Sequence, residues 1–235
     1  MSTKEKDLLK KYDGTQSGLS LRQDEDGLTL TDGRLELRGD FTRMLPRLRP
    51  GNLQGKLLVR AAKIKGAGAA GGLTAVDATA GLGEDSLLLA AAGFSVRLYE
   101  YDPVIAALLR DALRRAAEIP ELADAVSRME LFEEDSVTAL TKLDAPPDVI
   151  LLDPMFPARQ KSALIKKKFQ LLQQLEQPCT DEEALVRAAM AAGPRKIVIK
   201  RPAKGPYLAG MKPSYSLGGK AVRYDCLVFP RPQDR

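Results

Sequence analysis

The 235-residue chain contains no histidine and only two cysteines. Cys179 and Cys226 stand far apart and fit no metal-ligand spacing. With no imidazole available either, composition leaves no zinc site. Two distant cysteines read as reduced thiols, which suits a cytoplasmic protein. No apolar run reaches the roughly 18 residues a membrane span requires, and the charged start Met1 to Lys11 has no secretory character. The expectation is a soluble, cytoplasmic protein without metal. A chain of this size buries roughly 70 to 75% of its unfolded surface, enough for one well-cored α/β domain plus an appendage.

The most informative stretch runs Val76-Asp77-Ala78-Thr79-Ala80-Gly81-Leu82-Gly83-Glu84-Asp85. Leu73 to Ala78 reads as a short buried strand, Gly81 and Gly83 permit a tight turn against a ligand, and Asp85 to Ala92 reads as the following helix. A second strand, Ser95 to Tyr99, delivers Glu100, whose carboxylate suits the two hydroxyls of an adenosine ribose. The dinucleotide fingerprint wants a third glycine where Ser86 stands, and Glu84 and Asp85 occupy the place of a pyrophosphate. Two carboxylates repel a pyrophosphate but tolerate the sulfonium and ammonium of S-adenosylmethionine. The pattern Asp77-x-x-x-Gly81-x-Gly83 with an acidic strand end therefore favours that cofactor, although an ordinary strand-turn-helix corner uses similar residues.

Pro147 to Leu152 forms another apolar strand and ends in Asp153-Pro154-Met155-Phe156-Pro157. In open α/β sheets, ligands bind beyond the carboxyl ends of the strands, so Asp77, Glu100, Asp135 and Asp153 are expected to line one crevice. The prolines stiffen the loop and leave its carbonyls free to accept. Asp153 and the Pro154 carbonyl suit the hydrogens of an amino group, and Phe156 suits stacking on its ring, which aims the nitrogen at a methyl donor.

From Pro154 onward the chain has 16 Lys and Arg against 6 Asp and Glu, leaving 20 against 25 before it. The basic residues nearest the proposed loop are Arg159, Lys161, Lys166, Lys167 and Lys168, and Lys200, Arg201 and Lys204 follow the next strand. All eight are candidate contacts for an RNA backbone. The run Gly218-Gly219-Lys220 serves a hairpin turn or an RNA contact. Tyr207, Tyr215 and Tyr224 are expected to pack rather than to stack bases.

Gly18 to Arg22, Leu28 to Thr31 and Arg34 to Arg38 alternate apolar and polar, with Asp32-Gly33 as a hairpin turn, which predicts a small N-terminal β-meander. Asn52 is expected to cap one helix reaching Ile64. The linker Gly66 to Gly72 then divides an N-terminal subdomain, residues 1–65, from a catalytic domain, residues 73–235. Within the latter, strands alternate with helices, which implies a mostly parallel sheet with right-handed crossovers. The expected helices run from Pro103 to about Glu118 behind an Asp102 cap, from Ser162 to Leu175 and from Asp181 to Ala192. The remaining strands are Arg128 to Phe132, Lys196 to Lys200 and Val222 to Phe229.

Five ordered blocks, DATAGLGED, EYDPVIAALL, DSVTAL, LDPMFPARQKSALIKKK and VIKRP, resemble the RsmJ-type family between Val76 and Arg223. The resemblance implies a class I, Rossmann-like S-adenosylmethionine methyltransferase with helices on both faces of a twisted sheet. It also implies methylation of the N2 amino group of a guanine in 16S ribosomal RNA, with ribosomal RNA or the small ribosomal subunit as partner. Glu84, Asp85, Glu100, Tyr101, Asp135, Ser136 and Asp153 match the family's cofactor positions. The chain departs from the family pattern where a His- and Gly-rich stretch precedes the first strand, and Glu84 stands where a basic residue is expected. The residues alone also leave open an amino group of another RNA, of DNA adenine or of protein. A nicotinamide-dependent oxidoreductase and a non-catalytic RNA-binding module are the remaining alternatives.

Overall fold

The computed structural model describes residues 3–14, 18–65, 72–154, 171 and 181–229. Helix α1 (Thr3–Lys11) leads into strands β1 (Ser20–Asp24), β2 (Gly27–Thr31) and β3 (Glu36–Leu37), an antiparallel sheet in the order β1-β2-β3. Asp32-Gly33 was expected as a two-residue hairpin turn, but Thr31 pairs with Glu36, so the turn is a four-residue loop over residues 32–35. Gly33 takes a φ of 84°, and the Asp32 carboxylate accepts the N–H groups of Arg34 and Leu35 at 2.8 and 2.7 Å.

A 3₁₀ turn (Phe41–Met44) and three short helices follow: α2 (Leu45–Leu48), α3 (Pro50–Leu53) and α4 (Leu57–Ala62). The single helix expected from Asn52 to Ile64 is thus two helices. Gly55 lies in the break, where a helix is costly, and Lys56 is extended with ψ 133°. Asn52 does not cap a helix; its side chain donates to the Pro46 carbonyl at 2.8 Å and ties α3 to α2.

The large sheet has seven strands: β4 (Thr74–Asp77), β5 (Ser95–Tyr99), β6 (Met129–Phe132), β7 (Val149–Leu152), β8 (Lys196–Pro202), β9 (Tyr215–Gly218) and β10 (Val222–Val228). Their order is β6-β5-β4-β7-β8-β10-β9. The first five are parallel, and β10 pairs antiparallel with both β8 and β9. The order reverses between β4 and β7, the switch point where open α/β sheets bind ligands. Helices α5 (Glu84–Ala91), α6 (Pro103–Ala117), α7 (Pro120–Val126), α8 (Ser136–Leu140) and α9 (Glu182–Ala191) connect the strands. Strand β9 was not expected from the sequence, and Gly219 and Lys220 sit in its turn to β10.

Alternate strand residues face opposite sides, as the pleat demands. Ala75, Val96, Leu98, Val149 and Leu151 pack with α4, α5 and one stripe of α6. Val76, Ile150, Leu152, Ile197 and Ile199 pack with α8 and α9 on the other face. Helix α6 also serves a third cluster, in which Val104, Ala107 and Leu108 meet Leu21, Leu28, Leu30 and Leu37 of the small sheet.

The small sheet is fastened to α6 by Asp111, whose buried carboxylate accepts the Leu28 N–H at 2.9 Å and pairs with Arg115 at 2.8 Å. Phe41, Met44, Leu58 and Val59 lie in the main core. Packing therefore joins residues 41–62 to the large sheet, on the far side of the boundary expected at Gly66 to Gly72.

Candidate active site

The site grows from the turn that leaves β4. Gly83 starts α5 with a φ of 75°, a left-handed conformation that favours glycine. A Cβ there would meet Leu109 Cδ1 at 2.7 Å and Phe41 Cζ at 3.2 Å, so the turn presses directly on α6. Gly81 has a φ of 53°, but a Cβ there would meet nothing within 4 Å among the described residues. One glycine serves packing, and the other leaves the turn's outer face open to a ligand.

Four strand ends converge on this turn. Asp77, 2% exposed, accepts the Thr79 N–H at 3.1 Å and the Ser86 hydroxyl at 2.5 Å. Burial lifts its carboxyl to about 6, against those hydrogen bonds. Glu100, 5% exposed, accepts the Gly81 N–H at 3.0 Å on one oxygen and the Asp102 N–H at 2.9 Å on the other. Burial lifts it to about 7. A carboxylate offers about four lone-pair sites, so Glu100 retains acceptor capacity for a ribose.

Asp153 reaches the same turn from β7, its N–H donating to Thr79 Oγ1 at 2.7 Å. Glu100 and Asp153 are therefore anchored within three residues of each other, on one crevice. Lys200, from the end of β8, places its ammonium 2.6 Å from Asp85 Oδ2 and 2.8 Å from Asp153 Oδ2. Burial raises the Asp153 carboxyl, and the charge of Lys200 offsets part of that rise. Burial opposes the Lys200 charge in turn, but Asp85 and Asp153 outweigh it and raise the lysine's pKa. Tyr224, paired with Lys200 in the β8–β10 register, closes the cluster and is buried.

Other expected site residues also serve local structure. Asp135 spends its carboxylate as the N-cap of α8, accepting from Val137 and Thr138, with Ser136 as the first helical residue. Tyr101 is 55% exposed beside Glu100, and Glu84 opens α5. Two residues expected to contact RNA are corrected. Lys200 belongs to the acidic cluster, and Arg201 is buried with its Nε donating to the Pro206 carbonyl at 2.9 Å. Lys204 is exposed as expected. Pro154 is buried. Phe156, Arg159, Lys161, Lys166, Lys167, Lys168 and the helix expected from Ser162 to Leu175 lie outside the described residues, Leu171 excepted.

Tyr224 packs as expected, whereas Tyr207 and Tyr215 are exposed and sit under the cations of Arg223 and Lys196 at 5.1 and 5.7 Å. Thr79, Ser86 and the pairing role of Lys200 were not anticipated. Among the described residues, no cluster of His, Cys, Asp and Glu is arranged to hold a metal, and no helix is long and apolar enough to cross a membrane.

The family model described as "Putative SAM-dependent methyltransferase" matches residues 4–229. The chain belongs to this family of S-adenosylmethionine-dependent enzymes. It is similar to the SAM-dependent methyltransferase NGO1261 from Neisseria gonorrhoeae, at 29% identity and a TM-score of 0.73 over 97% of this chain and 92% of that one. It resembles the rRNA methyltransferase aviRa from Streptomyces viridochromogenes in fold alone, at 17% identity and a TM-score of 0.50 over 76% of this chain and 84% of that one.

Several relatives carry the name ribosomal RNA small subunit methyltransferase J, two of which illustrate the match. The protein from Pseudomonas fluorescens (strain Pf0-1) is 45% identical over 66% of this chain and 60% of its own length. The protein from Thioalkalivibrio sulfidiphilus is 48% identical over 65% of this chain and 61% of its own length. The chain thus spans about three fifths of the curated relatives it matches. The expected class I, Rossmann-like fold with a small N-terminal sheet is the fold found, and the family's cofactor suits the acidic site with its open glycine and its carboxylate able to accept further hydrogen bonds.

Proposed function

We propose that this protein transfers a methyl group from S-adenosylmethionine to the exocyclic N2 amino group of a guanine in 16S ribosomal RNA, acting in the cytoplasm on the RNA or the small ribosomal subunit. The observation that carries this reading is the 2.7 Å hydrogen bond from Asp153 N–H to Thr79. It fixes the amine-binding loop to the turn whose Gly81 N–H holds Glu100. When bound, the cofactor supplies an electrophilic methyl group on a sulfonium.

In this reading Glu100 receives the ribose hydroxyls, while Gly81 and Gly83 keep the turn close to the cofactor. Asp77 acts indirectly, bracing the turn through Thr79 and Ser86. Glu84, Asp85, Tyr101, Asp135 and Ser136 border the cofactor's two ends. Asp153 accepts a hydrogen bond from the guanine amine, as does the Pro154 carbonyl, and Phe156 clamps the base. The amine's lone pair is delocalised into its ring, so orientation supplies most of the rate, an effect that reaches roughly 7 to 11 kcal/mol. As the nitrogen takes the methyl, its proton passes to Asp153 and then to solvent. Lys200 holds that carboxylate in place and neutralises part of the charge it shares with Asp85. A base edge is reached only when the nucleotide is unpaired or extruded. The division at Gly66 to Gly72 then separates tasks rather than folding units, with residues 73–235 carrying the chemistry.

The test is labelled methyl transfer to 16S ribosomal RNA from cells lacking the protein, followed by mass mapping of the modified nucleotide. The wild type places one methyl on a guanine N2. Asp153→Ala loses about 10²- to 10⁴-fold in rate yet binds S-adenosylmethionine in calorimetry. Near-normal turnover by that variant, or a mark on DNA, protein or another base, rejects the assignment.

A further inference from the structure

Two stretches of this chain are basic and free of acid. Residues 41–65 contain seven Lys and Arg and no Asp or Glu, and residues 203–221 contain three Lys and no Asp or Glu. The first lies before Pro154, where the overall balance is acidic, so the count on either side of Pro154 conceals it. The fold brings the two together, because a Cβ on Gly219 would fall 2.9 Å from Cδ1 of Leu57. Lys56 precedes Leu57 and Lys220 follows Gly219. Ala221 accepts the Ala203 N–H at 3.0 Å, which brings Lys204 alongside Lys220.

The turn carrying Lys204 is firmly built. Arg223 donates to the carbonyls of Pro202, Ala203 and Gly205 at 3.2, 3.1 and 2.8 Å, and its cation covers the Tyr207 ring at 5.1 Å. The charge of the other stretch also reaches the site: Arg47 is among the cations opposing the rise that burial causes in the Tyr224 phenol. Arg47, Arg49, Lys204 and Lys220 are exposed and Lys56 is half-buried. None of the five makes an ion pair among the described residues. Cations gathered without an acidic partner among the described residues attract a polyanion more strongly than scattered ones.

We propose that these segments form one RNA-binding rim at the crevice, in which Arg47, Arg49, Lys56, Lys204 and Lys220 follow the phosphates of the strand whose base enters the site. The proposal rests on the RNA reading above and adds a surface to it. Tyr207, 42% exposed beside Arg223, offers a neighbouring base a stacking face, the usual companion of a basic track in single-strand binding. The opposite end of α4 is excluded from the rim. Its last carbonyls are taken by Lys196, at the start of β8, so Lys63 and Lys65 sit at the sheet edge away from the site.

The test compares two triple variants that remove equal charge. Arg49→Ala, Lys56→Ala and Lys220→Ala together strip the rim, while Lys63→Ala, Lys65→Ala and Lys142→Ala, the last just past the end of α8 remote from its Asp135 cap, strip the opposite side. Fluorescence anisotropy measures binding of a labelled single-stranded 16S ribosomal RNA fragment across a salt series, alongside cofactor affinity by calorimetry and melting temperature. The rim triple is expected to weaken RNA binding by roughly tenfold or more at physiological salt. It should also flatten the plot of log affinity against log salt by about 2, since each single-strand phosphate contact contributes about 0.7 to that slope. Cofactor affinity and melting temperature stay near wild type.

Unchanged affinity and slope in the rim triple, equal losses in both triples, or a wild type that binds no RNA overturns the proposal. Wild-type methyl transfer is scored separately. Transfer that proceeds with an intact salt slope in the rim triple sinks the rim alone. RNA binding through the rim without any transfer sinks the catalytic reading alone.

Discussion

The two ends of the crevice manage buried carboxylates by different means. At the β4–β5 end, Asp77 and Glu100 are compensated by backbone N–H groups and a hydroxyl, and burial leaves them at about 6 and about 7. At the β7–β8 end, Asp85 and Asp153 share the ammonium of Lys200. Amide dipoles compensate a carboxylate partially, so the first end titrates near neutrality. A full cation sits directly against the second pair and offsets part of the rise that burial causes at Asp153. The first end suits a neutral ribose that donates hydrogen bonds. In the proposed reading, the second holds a proton acceptor in one orientation beside the reacting amine.

The contrast breaks most readily at Lys200. Replacing it with methionine strands two half-buried carboxylates, whose remaining access to solvent keeps the loss of stability below that of a fully buried pair. Because Asp153 loses the charge that holds its carboxyl down, the acid limb of the rate profile should move to higher pH. We expect a rate loss of about 10²- to 10⁴-fold near neutrality, partial recovery with Lys200→Arg, and a smaller change in KM than in kcat. Lys200→Met with wild-type kcat and an unmoved acid limb would show that the ammonium is dispensable.

The next largest effect is one of pH. The Glu100 pKa is raised from 4.5 to about 7 in the fold, so the folded protein holds that proton more tightly than the unfolded chain. The stability this contributes is complete below about 4.5 and is lost as pH rises through about 7. Asp77 behaves alike between 3.8 and about 6. The Glu100 contribution amounts to roughly 3 kcal/mol as an upper bound. With no histidine in the chain, little else titrates in that window, so melting of the cofactor-free protein should fall in temperature from pH 5 to pH 8.

Glu100→Gln should flatten this slope, although glutamine keeps only one acceptor for the two N–H groups and loses some stability at every pH. The stabilisation given by S-adenosylmethionine should grow over the same range in the wild type and vanish in the variant. A wild-type slope of the opposite sign would contradict the burial of these groups.

Much of the amide-compensated end was readable in the chain. The alternation and apolar runs around Ala75, Val96 and Val149 specify strands. Strand-end acids and N-caps such as Asp102 are local signals, decided within a few residues. The ammonium-compensated end was not readable, because Lys200 meets Asp85 across 115 positions and no local rule couples them. Lys200 and Arg201 looked alike as exposed cations, yet successive strand residues face opposite sides. One enters the crevice, and the other is buried against the Pro206 carbonyl. The break at Gly55 was hidden by an apolar spacing that two short helices satisfy as well as one long helix does. Strand β9 escaped because its residues earn their place only by pairing with β10.

The smallest effects separate the two glycines on which the amide-compensated end depends. Gly83→Ala forces a left-handed φ on alanine and drives its Cβ toward Leu109, a fully buried side chain without room to withdraw. Overpacking of this kind typically costs about 1 to 3 kcal/mol, or about 2 to 4 °C in melting temperature for each kcal/mol in a chain of this size. Gly81→Ala meets open space and bears only the conformational penalty, about 1 to 2 kcal/mol, but its new methyl enters the face offered to the cofactor. Calorimetry should therefore find the larger loss of S-adenosylmethionine affinity in Gly81→Ala, while melting curves find the larger loss of stability in Gly83→Ala. The Lys200 end should be untouched in Gly81→Ala, leaving kcat at saturating cofactor near wild type. If both variants lose stability and affinity in the same proportion, the turn works as a single unit and the division between its packing glycine and its ligand-facing glycine is wrong.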